Sequence, residues 1–288
     1  MPAVSVDAWA KVNLFLHVTG RRDDGYHLLD SLVVFAGIGD TIAVEPADRL
    51  SLTVDGPTAS RLEPGGDNIV LAAARALAET AGIVPAVRIR LTKRLPVAAG
   101  IGGGSADAAA TLRALRRLWR LDLAAERLHA LALDLGADVP VCLRGAPTRM
   151  SGIGDTLEPA PALPPAWLVL VNPMIGLSTP AVFKARRGRF SQAMPLTTPP
   201  VDAAALAAQV GRRGNDLTEA AISLVPAIAE VLERLAAQPD CLLARMSGSG
   251  ATCFGLFADG AGATAAADAI AAARPDWWIN WAPLLSAS

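Results

Sequence analysis

The stretch "LPVAAGIGGGSADAAATL", Leu95 to Leu112, decides how the rest of the chain is read. It places Gly100, Gly102, Gly103 and Gly104 within five positions and then continues in residues that form helices well. Just upstream, "VRIRL" alternates, with Val87, Ile89 and Leu91 on one face and Arg88 and Arg90 on the other, which predicts a strand. The glycine run therefore joins a strand to a helix. Dense glycine at that junction suits a phosphate, because backbone without side chains can wrap an anion while its N–H groups point inward from the positive end of the helix. The same residues also describe a flexible glycine loop with Ser105 as an N-cap, and composition does not separate the two. Familiar templates do not settle it. G-x-x-x-x-G-K-[ST] is absent, Ser105 stands where G-x-G-x-x-G needs its third glycine, and no H-R-D or D-F-G occurs.

Outward from this run, "TIAVE" and "LSLTV" alternate and predict antiparallel strands joined by the polar turn "PADR". Asp67 or Asn68 offers an N-cap, "IVLAAARALAET" predicts a helix, and Gly82 supplies its C-cap. "AAERLHALALDLG" predicts another helix stopped at Gly136, followed by the tight polar interruption "GADVP". Prolines 159, 161, 164 and 165 exclude regular structure and mark a candidate boundary between domains 1–160 and 161–288. Beyond them, "WLVLV" and "CFGLF" predict strands, the alanine-rich runs near 203 and 264 predict helices, and "RRGRFSQAMPLTTPP" predicts a mobile loop.

The chain has 288 residues, about half of them apolar, which is ample for a packed core. A formal charge of −1 gives no global reason to expect nucleic acid. The arginines of "RALRRLWR" fall on one helical face, Arg113, Arg116, Arg117 and Arg120, opposite Leu112, Leu115, Leu118 and Trp119, and predict a solvated surface. Three widely spaced cysteines without C-x-x-C suggest neither a disulfide framework nor a zinc site and fit a reducing cytoplasm. No run approaches the roughly 18 apolar residues of a membrane span, and none reads as a signal peptide, so a soluble, unprocessed protein is expected. His17, His27 and His129 lack metal-ligand spacing. Nothing in the sequence sets an oligomeric state.

The pattern from Pro96 to Ser105, P-x-x-x-G-[LI]-G-G-G-S, resembles the phosphate-binding motif of the GHMP small-molecule kinases. Three further stretches narrow the resemblance: "AKVNLFLHVTGRRDDGYH" from Ala10, "LGADVPVCLRG" from Leu135 and "MSGSGATCFGLF" from Met246, with "NPMIGLSTPAVFK" between them. They are similar to a branch of that family acting on a cytidine diphosphate-linked alcohol in the non-mevalonate route to isoprenoid precursors. Ala98 and Ala99 stand where glycines are common in such enzymes, and Trp9 where a proline is often found.

The resemblance implies an α/β fold of the α+β type, with two domains and an active site in the cleft between them. It implies ATP and Mg²⁺ as cofactors and a small-molecule partner carrying cytidine diphosphate, with neither nucleic acid nor membrane involved. Asp138 becomes the base that takes the hydroxyl proton, although by itself an aspartate before Pro140 reads first as a turn or N-cap residue. Lys11 becomes its cationic counterpart, and Asn13 a substrate-binding amide. Tyr26 and Phe183 enclose the cytosine, and His27 reads its edge, mostly by backbone contact. For ATP, Pro96, Gly100, Gly102, Gly103, Gly104 and Ser105 form the cradle, and Asn68 and Lys93 border the adenine. No protein cage for a metal is expected; Mg²⁺ arrives with ATP, with Ser105 available to it or to a phosphate. Asp107 reads as structural unless it reaches the metal, since an acid facing a phosphate would repel it. The rival readings are another GHMP kinase, acting on a sugar, homoserine or mevalonate, and an inactive nucleotide-binding regulator of the same fold.

Overall fold

The computed structural model describes residues 3–62 and 68–286. The chain forms two compact units that interleave along the sequence. The first takes the chain up to Ala10, Gly39–Val97 and Gly102–Gly145; the second takes Lys11–Ile38, Ala98–Ile101 and the chain from Ala146 onward. This differs from the sequential cut at 160, because two long strands, β1 (Val4–Arg21) and β2 (His27–Pro46), contribute residues to both units.

In the first unit, β3 (Ser51–Asp55), α1 (Ile69–Ala81) and β4 (Val87–Thr92) form a β-α-β unit with β3 and β4 parallel. A parallel pair needs a crossover of a dozen or more residues, and α1 supplies it. The Asn68 side chain accepts from Val70 N at 2.9 Å, and Gly82, at φ 66°, closes the helix. Asp67 lies outside the described residues. β4 also pairs antiparallel with residues 41–46 of β2, so β4 lies between the two strands expected to be neighbours. "TIAVE" and "LSLTV" are both strands but are not paired: β4, buried on one face at Val87, Ile89 and Leu91, takes the central place.

The glycine run leads into α2 (Gly103–Leu118), followed by α3 (Ala125–Leu135) and the short α4 (Val139–Arg144). The apolar face of α2 is buried at Leu112, Leu115 and Leu118. Its arginine face is only partly a solvated one. Arg113 donates to the carbonyls of Cys142 at 3.0 Å and Asp7 at 3.1 Å, and Arg116 to that of Leu121 at 3.3 Å. Arg117 and Arg120 are exposed as expected.

In the second unit, residues 29–33 of β2 pair with β5 (Thr148–Gly152), which pairs with β6 (Thr156–Pro159). A second sheet begins with β7 (Trp167–Asn172). The helices α5 (Thr179–Ala185), α6 (Ala203–Gly211), α7 (Thr218–Leu224) and α8 (Ala227–Ala236) follow. Then come β8 (Leu243–Met246), β9 (Cys253–Phe257), α9 (Gly260–Ala273) and β10 (Trp278–Pro283). The sheet is antiparallel in the order β10-β7-β9-β8. Its core joins Val169, Val171, Ile228, Val231, Phe257 and Ile270. Trp277 is buried under the Arg274 guanidinium, whereas Trp281 is 40% exposed beside Trp167. The segment 186–200 is irregular yet pinned: Ser191 N donates to Val18 O, Met194 N to Asp30, and Arg213 holds the carbonyls of Met194 and Pro195.

Candidate active site

Within the first unit the site begins at the N-terminus of α2. Gly102 is its N-cap residue at φ 63°, and no side chain caps the helix. Its first internal bond runs from Ala106 N to Gly102 O at 2.7 Å, so the N–H groups of Gly103, Gly104 and Ser105 have no partner within the helix. Ser105 is therefore the third helical residue and not the N-cap.

Gly103 and Gly104 have helical backbone and need no glycine for conformational reasons. A Cβ on Gly103 would meet its nearest atom, Lys93 Nζ, at 3.6 Å, and one on Gly104 would meet Ile69 Cγ2 at 3.9 Å, both ordinary contacts. Glycine in a helix costs about 0.5–1 kcal/mol relative to alanine. The fold accepts a side chain at both positions, so the bare backbone suits something that approaches from outside the protein.

Beneath this turn lies a buried ionic cluster. Lys93 Nζ donates to Asp40 Oδ2 and, at 2.9 Å, to Asp107 Oδ2, and all three side chains are at most 4% exposed. Asp40 Oδ1 accepts from Arg94 N at 2.5 Å and Leu95 N at 2.9 Å. Burial pushes the Asp107 carboxyl up to about 7; Lys93 opposes that shift and Asp40 adds to it. Burial also works against the charge on Lys93, but Asp107 and Asp40 outweigh it and raise the ammonium above its ordinary value. Lys93 is thus engaged with two carboxylates, and the Asn68 carbonyl oxygen caps α1, so each expected adenine neighbour has work inside the protein. Asp107 Oδ1 is buried without a hydrogen-bond partner. Pro96 is buried at the start of the run. Asp138 occupies the N-cap position of α4 with Pro140 in the first turn, and its side chain does not cap the helix.

In the second unit, the residues Ala98–Ile101 are held by the turn Ser247–Gly250. Thr252 N donates to Ala99 O at 3.0 Å, Ser247 Oγ to Gly100 O at 3.2 Å, and Lys11 N to Ile101 O at 3.0 Å. Gly100 has φ 72°, and a Cβ on it would lie 2.5 Å from Gly250 O, so here the fold itself demands glycine. Lys11 and Asn13 are buried together on β1. Lys11 Nζ donates to Asn13 Oδ1 at 2.9 Å, Asn13 Nδ2 to Ser31 Oγ at 2.8 Å, and Asn13 N to Ser247 Oγ at 3.1 Å. Asn13 therefore orients the Lys11 ammonium.

The expected aromatic slot is arranged differently. Tyr26 is 62% exposed, and the ring stacked on Phe183 is that of His27, with centroids 4.8 Å apart and planes at 26°. Burial, then the charges of Arg21 and Arg186, hold the His27 imidazole below its ordinary value, so it is neutral at neutral pH. Sequence reasoning missed Asp40, Arg21 and Arg186. The signal for Asp40 was present: it stands two residues before Ile42 and four before Val44, on the core face of the strand.

Residues 68–146 match the GHMP kinases N terminal domain, and residues 201–276 match the GHMP kinases C terminal domain. A protein of Paramagnetospirillum magneticum named 4-diphosphocytidyl-2-C-methyl-D-erythritol kinase is 64% identical over 286 residues, covering 99% of this chain and 100% of its own length. One of the same name from Rhodospirillum rubrum is 60% identical, covering 95% of this chain and 90% of its own length. A crystal structure of 4-(cytidine 5'-diphospho)-2C-methyl-D-erythritol kinase superposes with a TM-score of 0.79 at 37% identity, covering 97% of this chain and 98% of the other. Homoserine kinase from Cytophaga hutchinsonii, at 18% identity and a TM-score of 0.73 over 99% of this chain and 95% of its own, shares the fold. The interleaved α+β architecture, the uncapped glycine N-terminus and these likenesses agree: the chain belongs to the GHMP kinase family.

Proposed function

We propose that this protein transfers the γ-phosphoryl group of ATP to the 2-hydroxyl of 4-diphosphocytidyl-2-C-methyl-D-erythritol. The observation that carries the reading of the ATP end is the uncapped start of α2, where Gly103 and Gly104 leave backbone bare that the fold could have covered. The N–H groups of Gly103 to Ser105 receive phosphate oxygens and stabilise the charge that shifts during transfer. Phosphoryl transfer asks little covalent chemistry of a protein; it asks for position and charge stabilisation.

Asp138 accepts the proton of the attacking hydroxyl, and Lys11, fixed by Asn13, stabilises the reacting oxygen. His27 and Phe183 offer a stacked ring pair at the cytosine end, with Tyr26 contributing a further aromatic face and the neutral imidazole reading a base edge. Mg²⁺ would neutralise the phosphates. The Ser105 hydroxyl, which makes no hydrogen bond among the described residues, fits as its single protein oxygen, since Mg²⁺ keeps waters and phosphate oxygens as its remaining ligands. A cytoplasmic site of action fits cysteines that form no disulfide among the described residues.

One experiment tests the reading: ADP release measured with the cytidyl substrate, free methylerythritol phosphate, homoserine, mevalonate and galactose in parallel. Turnover confined to the cytidyl substrate is expected. Turnover of another alcohol would assign the chain to a different kinase, and no turnover of any would make it a binding protein.

A further inference from the structure

Asp40 is fully buried, and three groups from three consecutive residues converge on it: the Lys93 ammonium and the backbone N–H groups of Arg94 and Leu95. With Pro96 to Ala99 between them and Gly100, these residues stand before the glycine run. Through Lys93 the link continues to Asp107, on the second turn of the helix that immediately follows it. The same strand end is held from another side, where Lys93 N donates to Asp55 O at 2.7 Å and Thr58 Oγ1 to Leu95 O at 2.9 Å.

Stability alone does not account for such a cluster. It sets one ammonium against two carboxylates out of water and leaves Asp107 Oδ1 unpartnered, whereas apolar residues of similar volume are often at least as stabilising. What the cluster supplies is geometry. Glycine loses more conformational freedom on ordering than any other residue, so a glycine run gains most from having both ends fixed before its ligand arrives.

We propose that Asp40 is a positioning residue for phosphoryl transfer: by gripping Lys93, Arg94 and Leu95 and, through Lys93, the Asp107 turn of α2, it fixes the start of α2 and aims the N–H groups of Gly103 to Ser105. The inference rests on the reading of that run as the ATP cradle.

The test compares Asp40→Asn, Asp107→Asn, Gly104→Ala and a destabilised control, Leu77→Ala in the core of α1, by KM for each substrate, kcat and melting temperature. Asp40→Asn raises KM for ATP about tenfold and leaves KM for the cytidyl substrate within twofold. Asp107→Asn keeps the shape, removes the surplus charge and melts no lower than the wild type, yet raises KM for ATP roughly three- to fivefold because a neutral bond to Lys93 is weaker. Leu77→Ala melts earlier with KM for ATP unchanged. Should Asp40→Asn fail to fold, Asp107→Asn decides. Wild-type KM for ATP in the folded cluster variants, with a raised KM in Gly104→Ala, overturns the positioning role and leaves the cradle standing. Wild-type KM for ATP in Gly104→Ala as well removes the cradle and this inference with it.

Discussion

Gly104→Ala makes stability and ATP use move in opposite directions. Gly104 is the second residue of α2, its backbone is helical, and the nearest atom to an added Cβ is Ile69 Cγ2 at 3.9 Å. No clash opposes the change. Alanine in place of glycine in a helix is worth about 0.5–1 kcal/mol, which for a chain of this size raises Tm by roughly 2–4 °C or less. The same methyl group stands where a phosphate would reach the helix N-terminus. Losing one charge-assisted hydrogen bond there costs about 1.5–3 kcal/mol, roughly a 10- to 150-fold increase in KM for ATP. The assays are thermal unfolding without ligand and steady-state ADP release at saturating cytidyl substrate. A higher Tm with unchanged KM for ATP would refute the claim that a phosphate meets this backbone. A lower Tm would refute the helical placement itself. Gly100→Ala is the contrast, since its Cβ would strike Gly250 O and it should lose stability first.

Three other outcomes are expected. Asp138→Asn keeps the shape of the turn but removes a proton acceptor, so kcat falls by roughly 10²–10⁴ with ATP and substrate KM little changed; near-wild-type kcat would leave Asp138 as a turn residue only. Phe183→Ala removes a stacking face remote from the transferred group and raises KM for the cytidyl substrate while KM for ATP stays put, and a drop in kcat alone would argue against the cytosine site. The raised pKa of Asp107 makes the native state hold a proton that the unfolded chain releases, so this carboxyl costs stability progressively as pH rises from about 4 to about 7. The Tm of Asp107→Asn relative to wild type should therefore climb across that window and level off above it, and a constant difference would exclude the shift.

What was legible in the sequence was local. The α1 helix announced both its caps, β4 its buried face, and the glycine run its place between a strand and a helix, because each depends on residues within a turn or two. Pairing was not legible: alternation in "TIAVE" and "LSLTV" says which face is buried and not which strand lies alongside, and β4 entered between them. Helical spacing set Arg113 on the polar side of α2, but its partner Asp7 is 106 residues away. The stacking of His27 on Phe183 was not legible, since nothing local says that the one ring would cover the other. Asp40 was written on the core face of its strand and needed only the question of why a carboxylate should be there.

The backing of Ala98–Ile101 by Ser247–Gly250 has a consequence for gene shuffling. A Cβ on Gly248 would lie 2.8 Å from Gly100 O, and one on Gly100 would lie 2.5 Å from Gly250 O, so these two stretches, some 150 positions apart, share one tolerance. A chimera taking its first 160 residues from one relative and the remainder from another inherits the two sides of that contact from different parents. Crossovers placed to keep residues 98–101 and 247–250 from a single parent should yield folded hybrids more often than crossovers placed at the proline-rich segment alone.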